Sequence, residues 1–145
     1  MRQKVLFLCT SNSCRSQMAE GILRHFYPMQ FEVYSAGAKP SSVHPLAIKV
    51  MAEIGIDISK QKSKSVETFS GQDFDYVITL CGDYAKKACP VFIGKVKKTM
   101  HWNFIDPAEA NGSEEQILTT FRKVRDEIKV KIEEFIKGYN KEVNL

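Results

Sequence analysis

A chain of 145 residues suits one domain, large enough to bury roughly 70% of the surface its unfolded form exposes. Apolar residues make up 43%, charged residues 26%, and the net charge is +4, a globular balance that excludes a disordered or strongly polycationic chain. The lysines at 60, 62 and 64, and at 95, 97 and 98, form a solvated face able to steer an anion. They lack interleaved aromatics and match no nucleic-acid motif. No segment has the length of a bilayer span, and Val5 to Cys9 is too short for a signal-peptide core, so the expected location is the cytoplasm. In that reducing compartment four cysteines do not make a static disulfide framework. Without a Cys-x-x-Cys pair they do not point to structural zinc either. Transient redox chemistry remains.

The first element is an apolar strand, Lys4 to Cys9, followed by the polar run Thr10-Ser11-Asn12-Ser13-Cys14-Arg15-Ser16 and a helix opening near Ser16 or Gln17. Strand, tight loop and helix aim unpaired backbone N–H groups at an anion. A cysteine beside that positive end is favoured as thiolate, Arg15 offers a planar fork of donors for a tetrahedral oxyanion, and Ser16 can hydrogen-bond the sulfur. Taken alone, Cys9 reads as a small buried apolar residue. In this run it reads as a nucleophile in an oxyanion cradle.

The helix from Gln17 to Tyr27 carries Met18, Ala19, Ile22, Leu23 and Phe26 on one face. A second strand, Phe31 to Ala36, ends before Gly37. Ser41 to Pro45 opens a helix that stops at Gly55, and a short helix is expected at Val66 to Phe69. A third strand, Asp75 to Cys81, again ends in a cysteine. Asp83 to Cys89 reads as a short helix stopped by Pro90, and Lys98 to Trp102 as a fourth strand. Ser113 to Gln116 is a capping box for a long helix with Ile117, Phe121, Val124, Ile128, Ile132 and Phe135 inward, closed by Gly138. The expected fold is α/β: one domain over residues 1–138, a three-layer sandwich whose four-stranded parallel sheet has helices on both faces. Residues 139–145 are expected to form a frayed tail.

Ligands of such sheets bind beyond the carboxyl ends of the strands, where Cys9 and Cys81 both stand. If the first and third strands are neighbours about 4.8 Å apart, a Cys9–Cys81 bond is geometrically open, register permitting. Cys81 and Cys89 would be about 12 Å apart along a helix, so a bond between them requires the segment to unwind. Gly82 to Cys89 is therefore expected to be a two-state switch, the alternative being two buried, inert thiols.

Residues 9 to 20, Cys-Thr-Ser-Asn-Ser-Cys-Arg-Ser-Gln-Met-Ala-Glu, resemble the phosphate-binding loop shared by low-molecular-weight protein tyrosine phosphatases and the arsenate reductases built on that fold. The run Val77 to Asp83, Cys89-Pro90, His101-Trp102, Asp106-Pro107-Ala108 and Val124 to Ile128 resemble the thioredoxin-coupled reductases. Phosphatases of this fold follow their Asp-Pro with tyrosines, whereas this chain has Ala108-Glu109-Ala110. The resemblance implies arsenate reduction, and a monomer is expected. Arsenate, with phosphate or sulfate as competing oxyanions, would be held by Thr10, Ser11, Asn12, Ser13, Cys14 and Arg15. Cys9 would attack arsenic with Ser16 beside it and Asp106 as general acid. Cys81 would then release arsenite by forming Cys9–Cys81, and Cys89 would form Cys81–Cys89, recycled by thioredoxin. No tightly bound cofactor, nucleic acid or membrane is implied, and weak phosphatase side activity is expected.

The chain departs from the family pattern in three places. Cys81 and Cys89 are one residue further apart than in some well-known members of the family. Ser11 replaces a glycine, and serine would be strained there if the position required a positive φ. Some of these reductases hold potassium near the loop. Asn12, Glu20 and Ser35 match that site, but Lys62 and Lys64 stand where a threonine and an aspartate are usual, so an ammonium group in place of the ion, and no metal, is expected. The alternative readings are a phosphatase working through a Cys9 phosphocysteine and a non-catalytic oxyanion or arsenite sensor.

Overall fold

The computed structural model describes residues 2–82 and 90–143. Strands β1 (Gln3–Cys9), β2 (Phe31–Gly37), β3 (Phe74–Thr79) and β4 (Val96–His101) form one parallel sheet in the order β2-β1-β3-β4. Helices α1 (Arg15–Phe26), α2 (Pro45–Glu53) and α3 (Glu114–Glu142) complete the framework. Val5, Leu6, Phe7 and Leu8 have no exposed surface, the continuous apolar signature of a central parallel strand.

All three α-helices pack on the sheet face that carries Val5, Phe7 and Ile78. The other face, with Leu6, Leu8 and Val77, is covered among the described residues by the 3-10 turn Val66–Phe69, Phe74 and Phe92. The third layer is thus thin. Strand order reverses between β1 and β3, which puts the crevice over the end of β1, where Cys9 sits.

Several elements differ from expectation. The third strand ends at Thr79, two residues short of Cys81, although Leu80 N–H still donates to Leu8 O at 2.8 Å. Leu8 pairs with Thr79, so Cys9 comes level with Leu80 and Cys81 stands one residue further on. Helix α3 does not stop at Gly138 but runs to Glu142. A mid-helix glycine is unfavourable by about 1 kcal/mol relative to alanine. Packing around it overrides that preference: Phe135 and Ile136 are buried, and the Tyr139 ring lies 4.9 Å from that of Phe31. Phe26, expected inward, is 46% exposed, and the neighbouring Tyr27 packs against the core instead. The helix expected over Asp83 to Cys89 lies outside the described residues.

Candidate active site

The loop from Thr10 to Cys14 joins β1 to α1 and is built around the side chain of Asn12, which is fully buried. Asn12 Oδ1 accepts from the Lys64 N–H at 2.8 Å and from Gln17 Nε2 at 3.0 Å. A backbone N–H can only donate, so the amide orientation is settled. Asn12 Nδ2 therefore donates to Ser16 Oγ at 2.7 Å and to Ser35 Oγ at 2.9 Å. Ser35 in turn donates to Glu20, which Arg24 holds at 2.6 Å. Ser16 Oγ lies 2.8 Å from the Cys9 sulfur. A thiolate has no proton to give, so the Ser16 hydroxyl, its acceptor side facing Asn12, supplies its single hydrogen to Cys9.

The backbone of the loop is arranged by what grips it from outside. Thr10 O accepts from Lys39 N at 2.9 Å, and Ser11 O from Ser41 N at 3.2 Å and Ser63 Oγ at 3.0 Å. Asn12 O accepts from Gln17 Nε2 at 3.0 Å, and Ser13 O from His44 N at 3.1 Å. In a planar trans peptide the N–H points opposite the carbonyl. Pulling four carbonyls outward turns the N–H groups of Ser11, Asn12, Ser13 and Cys14 to the other side, and among the described residues none of these four donates. With the unpaired first turn of α1 they form a cradle for an anion. The bend falls at Asn12, whose φ is 50°, and not at Ser11, so the serine carries no backbone strain. Asparagine tolerates this region better than most residues.

Arg15 is 3% exposed. Its Nη1 donates to Phe104 O at 3.2 Å and to Leu80 O at 3.4 Å, and its Nη2 lies 3.7 Å from Asp106 Oδ2. Its buried Nε has no partner among the described residues, a donor left for a bound oxyanion. Asp106 has two tasks. Oδ1 accepts from Ala108 N at 3.0 Å and caps the 3-10 turn Pro107–Glu109, while Oδ2 faces Arg15.

Cys14 caps α1 through its backbone and is buried. Burial first, and the Asp106 carboxylate second, push its thiol up to about 12. Cys9 and Cys14 are free thiols, whereas the buried Cys81 sulfur is engaged in a disulfide. The expected Cys81–Cys89 pairing involves a residue outside those described, as does the switch segment.

Asn12, Glu20 and Ser35 do come together, but their polar atoms are committed to Lys64 N–H, Gln17, Ser16 and Arg24. The Lys64 ammonium donates to Lys62 O at 2.6 Å. Burial draws it below the ordinary lysine range while Glu20 pulls the other way. A cation already stands near Glu20, and the residues present do not fit a potassium ion.

Apart from Gln17, the outer grip lies beyond the motif of residues 9 to 20. Gln17, Ser63 and the segment from Lys39 to His44 act through side-chain amides, a hydroxyl and main-chain N–H groups. The only sequence signal was two serine-containing stretches flanking a helix, which is too common to mark a site.

The family description "Low molecular weight phosphotyrosine protein phosphatase" matches residues 4–145. The chain is 48% identical to an arsenate reductase of Shouchella clausii over 136 residues, 93% of this chain and 96% of that protein. A solved structure described as an arsenate reductase in the phosphate binding state superposes with a TM-score of 0.76 at 37% identity, covering 95% of this chain and 98% of that one. A thioredoxin-dependent arsenate reductase of Corynebacterium glutamicum superposes with a TM-score of 0.66 at 30% identity, covering 94% of this chain and 61% of its own. The chain belongs to the low molecular weight phosphotyrosine protein phosphatase family, among its arsenate reductases.

Proposed function

We propose that this enzyme reduces arsenate to arsenite through a relay of Cys9, Cys81 and Cys89, with thioredoxin as the external reductant. The observation that carries the reading is the Cys9 sulfur, hydrogen-bonded by Ser16 and placed at the mouth of a cradle of unpaired N–H groups. Arsenate enters with its oxygens on the N–H groups of Ser11 to Cys14 and on Arg15. The Cys9 thiolate attacks arsenic, and an oxygen leaves as water with a proton from Asp106. The Cys81 thiolate then attacks the Cys9 sulfur. The sulfur–arsenic bond breaks, its electron pair stays on arsenic, and arsenic(V) becomes arsenic(III) as the Cys9–Cys81 bond forms. Cys89 attacks Cys81, releasing Cys9 as thiolate, and a dithiol of thioredoxin reduces the resulting disulfide.

One observation supports this order. Cys81 is one residue beyond the position level with Cys9 across β1 and β3. Cys14, held near 12, stays protonated and takes no part. Among the described residues no helix is long and apolar enough to cross a membrane, and we place the enzyme in the cytoplasm as a monomer.

The reading is tested by coupling turnover to thioredoxin, thioredoxin reductase and NADPH. NADPH consumption should require arsenate, fail with phosphate, and vanish in Cys9→Ser, Cys81→Ser and Cys89→Ser proteins. A Cys81→Ser protein that still turns over arsenate with thioredoxin would overturn it. The phosphatase reading, which shares the cradle and Cys9, instead requires hydrolysis of a phosphate ester that survives loss of Cys81 and Cys89.

A further inference from the structure

The N–H groups of the loop face inward because the carbonyls are held outside, and that outer side is shaped by residues that no reacting atom touches. Gly37, the last residue of β2, pairs with Cys9, and its N–H donates to Lys64 O at 2.9 Å. A Cβ at this position would lie 2.7 Å from Asn12 N, 2.8 Å from Thr10 O and 3.0 Å from Cys9 O. All three are backbone atoms, which cannot rotate aside as the end of a side chain can. The backbone of Gly37 is outside the left-handed region that glycine adopts at Gly55, Gly71 and Gly112, so space and not conformation excludes a side chain. The loop rests directly on the bare Cα.

Ser63 works from the other side. Its Oγ accepts from Ser41 N at 2.9 Å and donates to Ser11 O at 3.0 Å. One hydroxyl thereby ties the Ser11 carbonyl to two separate segments, the one after β2 and the one before the Val66–Phe69 turn. That carbonyl belongs to the same peptide as the Asn12 N–H, at the residue where φ turns positive.

We propose that Gly37 and Ser63 are positioning residues for oxyanion binding: Gly37 sets the height of the Thr10–Asn12 backbone above the sheet, and Ser63 sets the tilt of the Ser11–Asn12 peptide. Neither touches the substrate. The inference rests on reading the loop as the oxyanion site. A backbone shift of a few tenths of an ångström, forced by a Cβ on Gly37, spoils the convergence of several donors on one ion at once. Loss of the Ser63 hydroxyl frees one peptide and spoils less.

The experiment uses the reduced full-length protein. Inorganic phosphate, as a non-reducible oxyanion, is titrated by calorimetry into the parent, Gly37→Ala, Ser63→Ala and Ser63→Thr. Thermal melting and arsenate kinetics are measured beside it. Phosphate binding should weaken about tenfold or more in Gly37→Ala, given the sensitivity of convergent sites to small displacements. It should weaken several-fold in Ser63→Ala and return toward the parent in Ser63→Thr, which keeps the hydroxyl. KM for arsenate should rise in the same order. Variants that melt earlier yet bind phosphate within twofold of the parent would reduce both residues to structural roles and overturn the proposal. If Gly37→Ala does not fold, Ser63→Ala, which removes one oxygen and adds no bulk, decides alone. A parent protein that binds no phosphate would instead overturn the reading of the loop, and this inference with it.

Discussion

The Ser16 hydroxyl, 2.8 Å from the Cys9 sulfur, accepts from Asn12 Nδ2 at 2.7 Å, so it meets a Cys9 thiolate as a donor. The amide of Asn12 cannot turn over without breaking its bond to the Lys64 N–H. The direction of the hydrogen bond to Cys9 is thus set by a backbone group 52 residues downstream of Asn12, in the loop before the Val66–Phe69 turn.

Replacing Ser16 by Ala should leave the Cys9 thiolate without this donor. A hydrogen bond to a charged group contributes about 1.5 to 3 kcal/mol, or about a tenfold to hundredfold change in an equilibrium or rate. Cys9 alkylation by iodoacetamide at pH 7 and single-turnover arsenate consumption should slow by that factor. An alkylation rate within twofold of the parent would remove Ser16 from the account.

Cys14 should be inert where Cys9 reacts. With its thiol pushed up to about 12, its thiolate fraction at pH 8 is far below that of an ordinary cysteine. Brief alkylation at pH 8 followed by peptide mapping should find label on Cys9 and none on Cys14. Cys14→Ser should keep arsenate turnover within a few-fold. Rapid labelling of Cys14 would show that it competes in the relay.

Glu53 should give the fold part of its pH dependence. The guanidinium of Arg122, and beside it that of Arg125, hold its carboxyl below the ordinary glutamate range. A lowered folded value contributes stability that is present above the unfolded value of about 4.3 and is lost as pH falls through the folded one. In urea unfolding, Glu53→Gln should therefore be less stable than the parent at pH 7, with the gap closing on acidification below about pH 4. A gap independent of pH would assign the loss to packing instead.

Lys64→Asp should remove the ammonium near Glu20 and put a carboxylate in its place. Melting in potassium chloride, compared with tetramethylammonium chloride at equal ionic strength, should rise for the variant and stay level for the parent. Potassium-dependent stabilisation of the unaltered protein would contradict the fit described for these residues.

The sequence made the centre of the candidate site legible and left its surroundings dark. Cys9, Arg15 and Ser16 could be read because their chemistry is concentrated in one strand–loop–helix junction, where spacing alone dictates proximity. The capping box at Ser113 and Gln116 and the stop at Gly55, with φ of 80°, were legible for the same local reason. Gly138 misled because a helix-ending residue type was outvoted by Phe135, Ile136 and Tyr139, and such tertiary packing is not written in the helix itself. Gly37 and Ser63 carry no local signature, since their partners Asn12 and Ser11 are more than twenty residues away. The one-residue offset between Cys9 and Cys81 required the register of β1 on β3, which neither strand's composition encodes.

The proposed relay begins at Cys9 and ends in a Cys81–Cys89 disulfide. The most direct measurement is a thiol count on fully reduced protein, freed of reductant, after one exposure to arsenate and, separately, to phosphate. Two thiols should be lost with arsenate alone, mapped by peptide mass to Cys81 and Cys89. Four thiols remaining in both samples would contradict it.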